Sequence, residues 1–342
     1  MAASDDDQVQ YTGPHERAGD ARAERELEEA AAGSWWQSTV RVLPTIKRKP
    51  KEKLPRLRPG RWLREVGWRH LVAIIVTLFA LYPVVWILSS SVNPINTLSG
   101  AQLIPDNASL DNYREIFSNP TLNPFMTWLW NSWKVALVAA TMNVLLAAMA
   151  AYAFSRFRFK GRRMGLLSLL LVQIFPQMLM FIAIFLIVQR IGTAFPAIGL
   201  NTHAGLILVY LGGAVGFNTF LIKGFMDSVP ESLDESARVD GAGPAYIFWR
   251  IIMPLVRPIL AVIFIITVIN TFGEFVIART LLRTTSQLTY IVGLQTYTLS
   301  DYGSKWGTLA AGAVIGALPI VITFILAQRA IVSGLTQGAV KG

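Results

Sequence analysis

The sequence predicts an all-α integral membrane protein, with six transmembrane helices and a helix–turn–helix elbow in a cytoplasmic loop. Three observations predict it. The 342-residue chain is 53% hydrophobic with a mean hydropathy of +0.45, too apolar for an ordinary soluble domain of this size. Six segments are apolar over roughly the 20 residues that a helix needs to cross a bilayer core of about 30 Å. The loops between them carry basic residues unevenly, as cytoplasmic and outward loops do.

In chain order the expected spans are 70–92, 132–154, 166–188, 204–225, 259–277 and 309–332. The loop between the second and third holds Arg156, Arg158, Lys160, Arg162 and Arg163, whereas the long loop 93–129 has a single basic residue, Arg114. Positive residues stay inside, so the amino terminus, the basic loop, the loop 228–258 and the carboxyl terminus are expected in the cytoplasm. Arg279, Arg283 and Lys305 in the last outward loop weaken this pattern without reversing it.

Residues 1–65 read as a cytoplasmic extension, acidic and then basic. Its first 33 residues lack a large apolar face and are expected to be a mobile tail. Asp5-Asp-Asp7 stands where a secretory signal would be basic, and no apolar core follows. Eleven Lys/Arg between Arg41 and Arg69, against Glu52 and Glu65, lead up to the first span. That placement suits a flank facing anionic lipid. Stacking aromatics are not interleaved with the charges, so nucleic acid is not the expected partner.

Within the outward loop, Ser109 can cap a helix that puts Leu110, Tyr113, Ile116 and Phe117 on one side, bracing the spans along the outer leaflet. A plain surface loop is the alternative. Pro83, Pro176 and Pro319 are expected to bend three spans, and Gly212/Gly216 and Gly312/Gly316 offer small faces for close helix contact.

The most informative stretch is Pro230-Glu-Ser-Leu-Asp-Glu-Ser-Ala-Arg-Val-Asp-Gly-Ala-Gly-Pro244. Pro230 suits a helix start, and Glu231, Asp234 and Glu235 suit the early turns of its dipole. Gly241 can adopt the left-handed conformation that ends a helix, and Pro244 can open the next. Tyr246, Phe248 and Trp249 then suit a membrane–water boundary.

Little else in the chain carries chemistry. There is no cysteine, which excludes disulfides and thiolate metal sites. His15, His70 and His203 are not at metal-ligand spacing, so no metal site is expected. No phosphate-cradling Gly-x-x-x-x-Gly-Lys-Ser/Thr run and no Gly-x-Ser-x-Gly elbow occurs. An enzyme is not expected, and no cofactor is expected on this chain. Glu274 is the one carboxylate predicted inside a span, near its outer end, either on a gate or substrate path or as a solvated interface group. Gln173, Asn143, Asn218 and Asn270 would suit a sugar path, although hydrogen bonds between helices are the more usual employment of such residues. An ion-driven secondary transporter would want ionisable groups near the midplane and paired half-helices, and the chain offers only the peripheral Glu274.

Glu235-Ser-Ala-Arg-Val-Asp240-Gly241-Ala242, with Pro254 and Pro258 downstream, resembles the coupling loop of the permeases of binding-protein-dependent ABC importers; Ser236 stands where that motif usually has a second alanine. Tyr152-Ala-Phe-Ser-Arg-Phe-Arg-Phe-Lys-Gly161, Gln173-Ile-Phe-Pro176, Ile198-Gly-Leu-Asn-Thr-His203, Ala317-Leu-Pro-Ile320, Leu326-Ala-Gln-Arg329 and Gly334-Leu-Thr-Gln-Gly-Ala-Val-Lys-Gly342 extend the likeness from about residue 70 to the end. Within this family the chain is most similar to the smaller membrane subunit of maltose/maltodextrin importers.

The resemblance implies a MetI-like transmembrane domain over 66–342. It also implies import of maltose, maltodextrin or a related oligosaccharide such as trehalose or a cyclic glucan, by alternating access across a bacterial inner membrane. The implied partners are a homologous second permease, an ATPase dimer that uses ATP and Mg, and an extracytoplasmic sugar-binding protein. Glu235, Ser236, Ala237, Asp240, Gly241, Ala242 and Pro254 would then serve coupling to the ATPase. Gly334, Leu335, Thr336, Gln337, Gly338 and Lys341 would reach between the ATPase subunits, or else form a frayed end.

Overall fold

A computed structural model describes residues 66–95, 103–174, 177–298 and 304–339. The chain divides at Val72 into two units, 1–72 and 73–342. The predicted extension 1–65 lies outside the described residues, and the helical bundle is built from 73–342.

The described residues form helices throughout: α1 (Trp68–Val92), α2 (Asp111–Ser118), α3 (Phe125–Arg156), α4 (Arg162–Ile174), α5 (Gln177–Ala194), α6 (His203–Met226), α7 (Ser232–Val239), α8 (Pro244–Phe272), α9 (Val276–Leu281), α10 (Tyr290–Gln295) and α11 (Trp306–Ala339). Four of them, α1, α3, α8 and α11, are each long and apolar enough to cross a membrane; the pair α4/α5 and the bent α6 bring the number to six if each counts as one span.

Helix α3 is the centre of the bundle. Its buried face runs through Val135, Ala136, Ala139, Ala140, Asn143, Ala147, Ala148 and Ala151, at helical spacing. A stripe of alanines leaves room for close neighbours, and α6 and α8 pack along it. One apolar cluster gathers Phe125, Trp128, Phe272 and Tyr290; a second gathers Ala148, Ile222, Phe248 and Val256.

Several expectations are corrected. The third span, expected over 166–188 with a bend at Pro176, is two helices whose axes differ by 108°, a full break and not a bend. Phe175 and Pro176 lie outside the described residues, but a proline there cannot supply the N–H that would carry one helix into the next. The fifth span, expected to reach residue 277, stops at Phe272; Gly273 follows and α9 starts afresh at Val276. Glu274 is therefore between helices and not inside a span.

The outward helix α2 exists, and Ser109 Oγ accepts the Asp111 N–H at 3.0 Å. Its buried face agrees only in part: Ile116 is buried and Tyr113 half-buried against the core as expected, Asn112 is buried beside them, and Leu110 and Phe117 are exposed. It does brace the bundle. Asn112 donates to the carbonyls of Ser91 and Asn93 at the end of α1, and Glu115 takes hydrogen bonds from Lys305 and Thr308 at the start of α11.

The glycines divide in the same way. A Cβ on Gly316 would lie 2.0 Å from Tyr290 Cζ, and one on Gly216 3.0 Å from the Leu169 carbonyl, so both permit close approach; Gly212 faces open space.

Candidate functional site

The elbow between α6 and α8 is built as its residues require. Helix α7 spans Ser232–Val239, starting two residues after Pro230. Gly241 closes it with φ +83°. Its N–H donates to the Arg238 carbonyl at 3.0 Å, and the Ala242 N–H reaches back to Ala237 O at 2.9 Å. These two bonds satisfy the last carbonyls of α7 in the paired arrangement that a left-handed residue permits. Pro244 then opens α8. The turn before Pro254 is π-type, with the Met253 N–H on Phe248 O; Pro254 itself has no N–H to give.

The two faces of the elbow differ. Glu235, Ser236, Asp240 and Gly241 are exposed, Val239 is 88% exposed, and Tyr246 and Trp249 stand out of the bundle. Ala237 turns inward and is buried, Ala242 is half-buried, and Pro254 is exposed ten residues after Pro244 opens α8. The inward face of α7 consists of Asp234 and Ala237 alone.

Asp234 is where sequence reasoning missed a partner. Arg156 Nε lies 2.8 Å from Asp234 Oδ2, and both side chains are almost completely buried. The same guanidinium donates from Nη2 to the Val229 carbonyl at 2.9 Å, and the neighbouring Ser155 Oγ donates to Asp227 Oδ1 at 2.7 Å. Lys223 also pairs with Asp227. Arg156, counted from sequence as one more basic loop residue, is thus the last residue of α3 and grips the lead-in to the elbow. The only sequence signal was spacing: Asp234 and Ala237 share a helix face.

Away from the elbow, α4, α5, α6 and α8 line a cavity of about 700 Å³. Gln173, Asn218, Asn270 and Glu274, dispersed in sequence, all line it, with Tyr210, Thr267 and a mainly aliphatic wall. Three of the four also hold the bundle. Asn218 Nδ2 donates to Asn143 Oδ1 at 2.6 Å and lies 3.4 Å from Thr267 Oγ1, and Gln173 Nε2 donates to the Gly213 carbonyl at 2.9 Å. Glu274 accepts the N–H groups of Ile277 and Ala278 and the hydroxyl of Tyr210. Asn270 is exposed in the wall. A cavity of this size, mostly apolar with a few convergent polar groups, fits a small-molecule path.

At the carboxyl end, Gly334, Leu335, Thr336, Gln337 and Gly338 belong to the last turns of α11, which runs on without a break from the sixth span; Lys341 lies outside the described residues.

Comparison with known proteins places this architecture. Residues 143–336 match the family described as "Binding-protein-dependent transport system inner membrane component". The chain is 39% identical over 273 residues to the galactooligosaccharides transport system permease protein GanQ of Bacillus subtilis (strain 168), covering 80% of this chain and 94% of GanQ. It is 39% identical over 283 residues to the maltose/maltodextrin transport system permease protein MalG of Escherichia coli (strain K12), covering 80% and 95%. Against the protein of the same name from Vibrio vulnificus (strain YJ016) it is 40% identical over 294 residues, covering 83% and 98%. Among solved structures, a chain of a bacterial ABC transporter that imports the acidic polysaccharide alginate shares the fold, with a TM-score of 0.62 at 24% identity over 79% of this chain and 97% of that one. The chain therefore belongs to the inner membrane components of binding-protein-dependent ABC transport systems, the non-catalytic membrane subunits of these importers.

Proposed function

We propose that this chain is a permease subunit that carries an oligosaccharide of the maltodextrin or galactooligosaccharide class inward by alternating access, powered by a separate ATPase. The observation that carries this reading is the pairing of two features. One is a cavity whose polar lining is amide and hydroxyl with a single carboxylate already engaged. The other is an elbow fastened to the bundle on one face and open on the other. The relatives named above support the substrate class.

In this reading Glu235, Ser236, Asp240 and Gly241 form the face that seats on an ATPase dimer, with Ala237, Ala242 and Pro254 shaping it from behind. The end of α11, from Gly334 to Gly338 and on to Lys341, reaches toward the same ATPase. Gln173, Asn218, Asn270 and Glu274 border the sugar path, Asn270 being the amide most available to a hydroxylated solute. A homologous second permease completes the path, and an extracytoplasmic binding protein delivers the sugar. Residues 1–65 and both termini lie in the cytoplasm. Engagement of Glu274 by Tyr210 and two backbone N–H groups also speaks against proton or ion coupling, since a coupling carboxylate must release its partners in each cycle.

The test is uptake of labelled maltodextrin and galactooligosaccharide into vesicles that hold the assembled complex. Uptake should require ATP and the binding protein and should persist when ion gradients are collapsed. Uptake by this chain alone, or uptake driven by an ion gradient without ATP, overturns the reading.

A further inference from the structure

Helix α3 is fastened at both ends and in the middle. At one end Arg156 pairs with Asp234 and bonds Val229 O, while Ser155 bonds Asp227, so two consecutive residues hold the elbow's lead-in and its first helix. Against this, the apolar grip of α7 on the bundle is one buried methyl, that of Ala237. In the middle Asn143 takes the hydrogen bond from Asn218 in the cavity wall. At the far end three side chains hold the loop before α10. Trp128 Nε1 donates to Thr285 O at 2.7 Å. Asn131 Nδ2 donates to Ser286 O and Leu288 O at 2.9 and 3.0 Å. Ser132 Oγ accepts the Tyr290 N–H at 2.8 Å. Between these ends α3 runs 32 residues without an internal proline, a rod of about 48 Å.

We propose that Arg156 and Asp234 are positioning residues that fasten the elbow to α3, and that α3 carries the elbow's displacement as a rigid rod to the segment 285–290 held at its other end. This inference rests on the transport reading above. A helix contact made of one methyl can slide, because apolar contact has no preferred direction. A buried pair of opposite charges cannot be pulled apart without leaving an uncompensated charge. Displacement of α7 therefore takes the last turn of α3 with it. A continuous helix with no internal proline transmits that displacement along its axis.

The experiment uses the assembled complex, with uptake and ATP hydrolysis measured on the same vesicles. Asp234→Asn removes the charge at nearly constant shape. It should lower sugar moved per ATP about tenfold while subunits still co-purify, and Asp234→Glu should restore most of the ratio. An unchanged ratio in Asp234→Asn, or equal loss in both variants, overturns the proposal.

If Asp234→Asn does not assemble, the intact joint decides. This chain has no cysteine, so Val239→Cys and Ser286→Cys, both at exposed positions, can carry spin labels in complexes with cysteine-free partners. The distance between the labels should stay constant between nucleotide-free and ATP-trapped states while each shifts relative to a label on the second permease. A change in the distance between the two labels, or movement of the elbow label alone, overturns the proposal. Absence of ATP-dependent uptake by the unaltered complex would instead strike the transport reading itself.

Discussion

Tyr210 donates its hydroxyl proton to Glu274, with Oη 2.6 Å from Oε2, and the same carboxylate accepts the N–H groups that open α9. One side chain thus ends the gap between α8 and α9 and ties both to α6. It is a cap first, and a cavity-wall group second.

Replacing Glu274 separates these roles. Glu274→Gln keeps one acceptor oxygen, so uptake should change little. Glu274→Ala strips the cap from α9 and should cost about 1 kcal/mol of stability, read as a lower Tm of the purified complex. Loss of uptake in Glu274→Gln with ATPase stimulation intact would show that the carboxylate charge itself acts on the sugar and does more than border its path.

Gly241 sits at φ +83°, where proline, held near −65°, cannot follow. Gly241→Pro should leave the chain inserted and assembled yet abolish uptake while ATP hydrolysis continues. Gly241→Ala adopts the same backbone at a cost of about 1 kcal/mol and should retain partial uptake. Uptake comparable to the unaltered protein in the proline variant would show that coupling does not need this turn.

A graded series tests packing on α11. A Cβ at Gly316 would meet the ring of buried Tyr290 at 2.0 Å, while one at Gly312 would meet the methyl Leu294 Cδ2 at 2.4 Å, a softer obstacle; at Gly212 in α6 it would meet nothing within 4 Å. Stability should fall most for Gly316→Ala, by about 1–3 kcal/mol, less for Gly312→Ala, and not measurably for Gly212→Ala. Thermal unfolding of the three variants gives the order directly.

Glu115 makes α2's attachment to α11 depend on pH. Burial pushes its carboxyl up, but hydrogen bonds from Lys305 and Thr308, with the charge of Lys305, outweigh this and hold it below the ordinary carboxylate value. A depressed folded value means that the contribution is complete above the unfolded pKa and is lost as pH falls through the folded one. Stability should therefore drop on acidification below about pH 4.5, and Glu115→Gln should flatten that part of the profile. An identical profile in the variant would show that the clasp contributes nothing.

Signals carried by neighbouring residues were legible in the sequence. The turn at Asp240-Gly241-Ala242 forms as expected because one left-handed glycine suffices to stop α7. The helix expected at 204–225 forms over His203–Met226 because a long apolar run is its own evidence, but its 50° bend midway was not expected. Glu274 was misplaced because Ile277 extends the apolar run past Gly273, and hydropathy does not register where a helix ends. The buried face of α2 was legible in Tyr113 and Ile116 but misread at Leu110 and Phe117, which look like core by composition, whereas Asn112 is buried for its bonds to carbonyls at the end of α1.

By itself the sequence determined the helical membrane character, the elbow with its glycine stop, and the family to which the chain belongs, because each is written in contiguous residues. Only the tertiary structure decided that Arg156 meets Asp234, that four dispersed polar residues share one cavity, and that Tyr210 serves Glu274. Charge pairing and hydrogen bonding act over a few ångströms, and which groups come that close is settled by the packing of helices, not by their order along the chain.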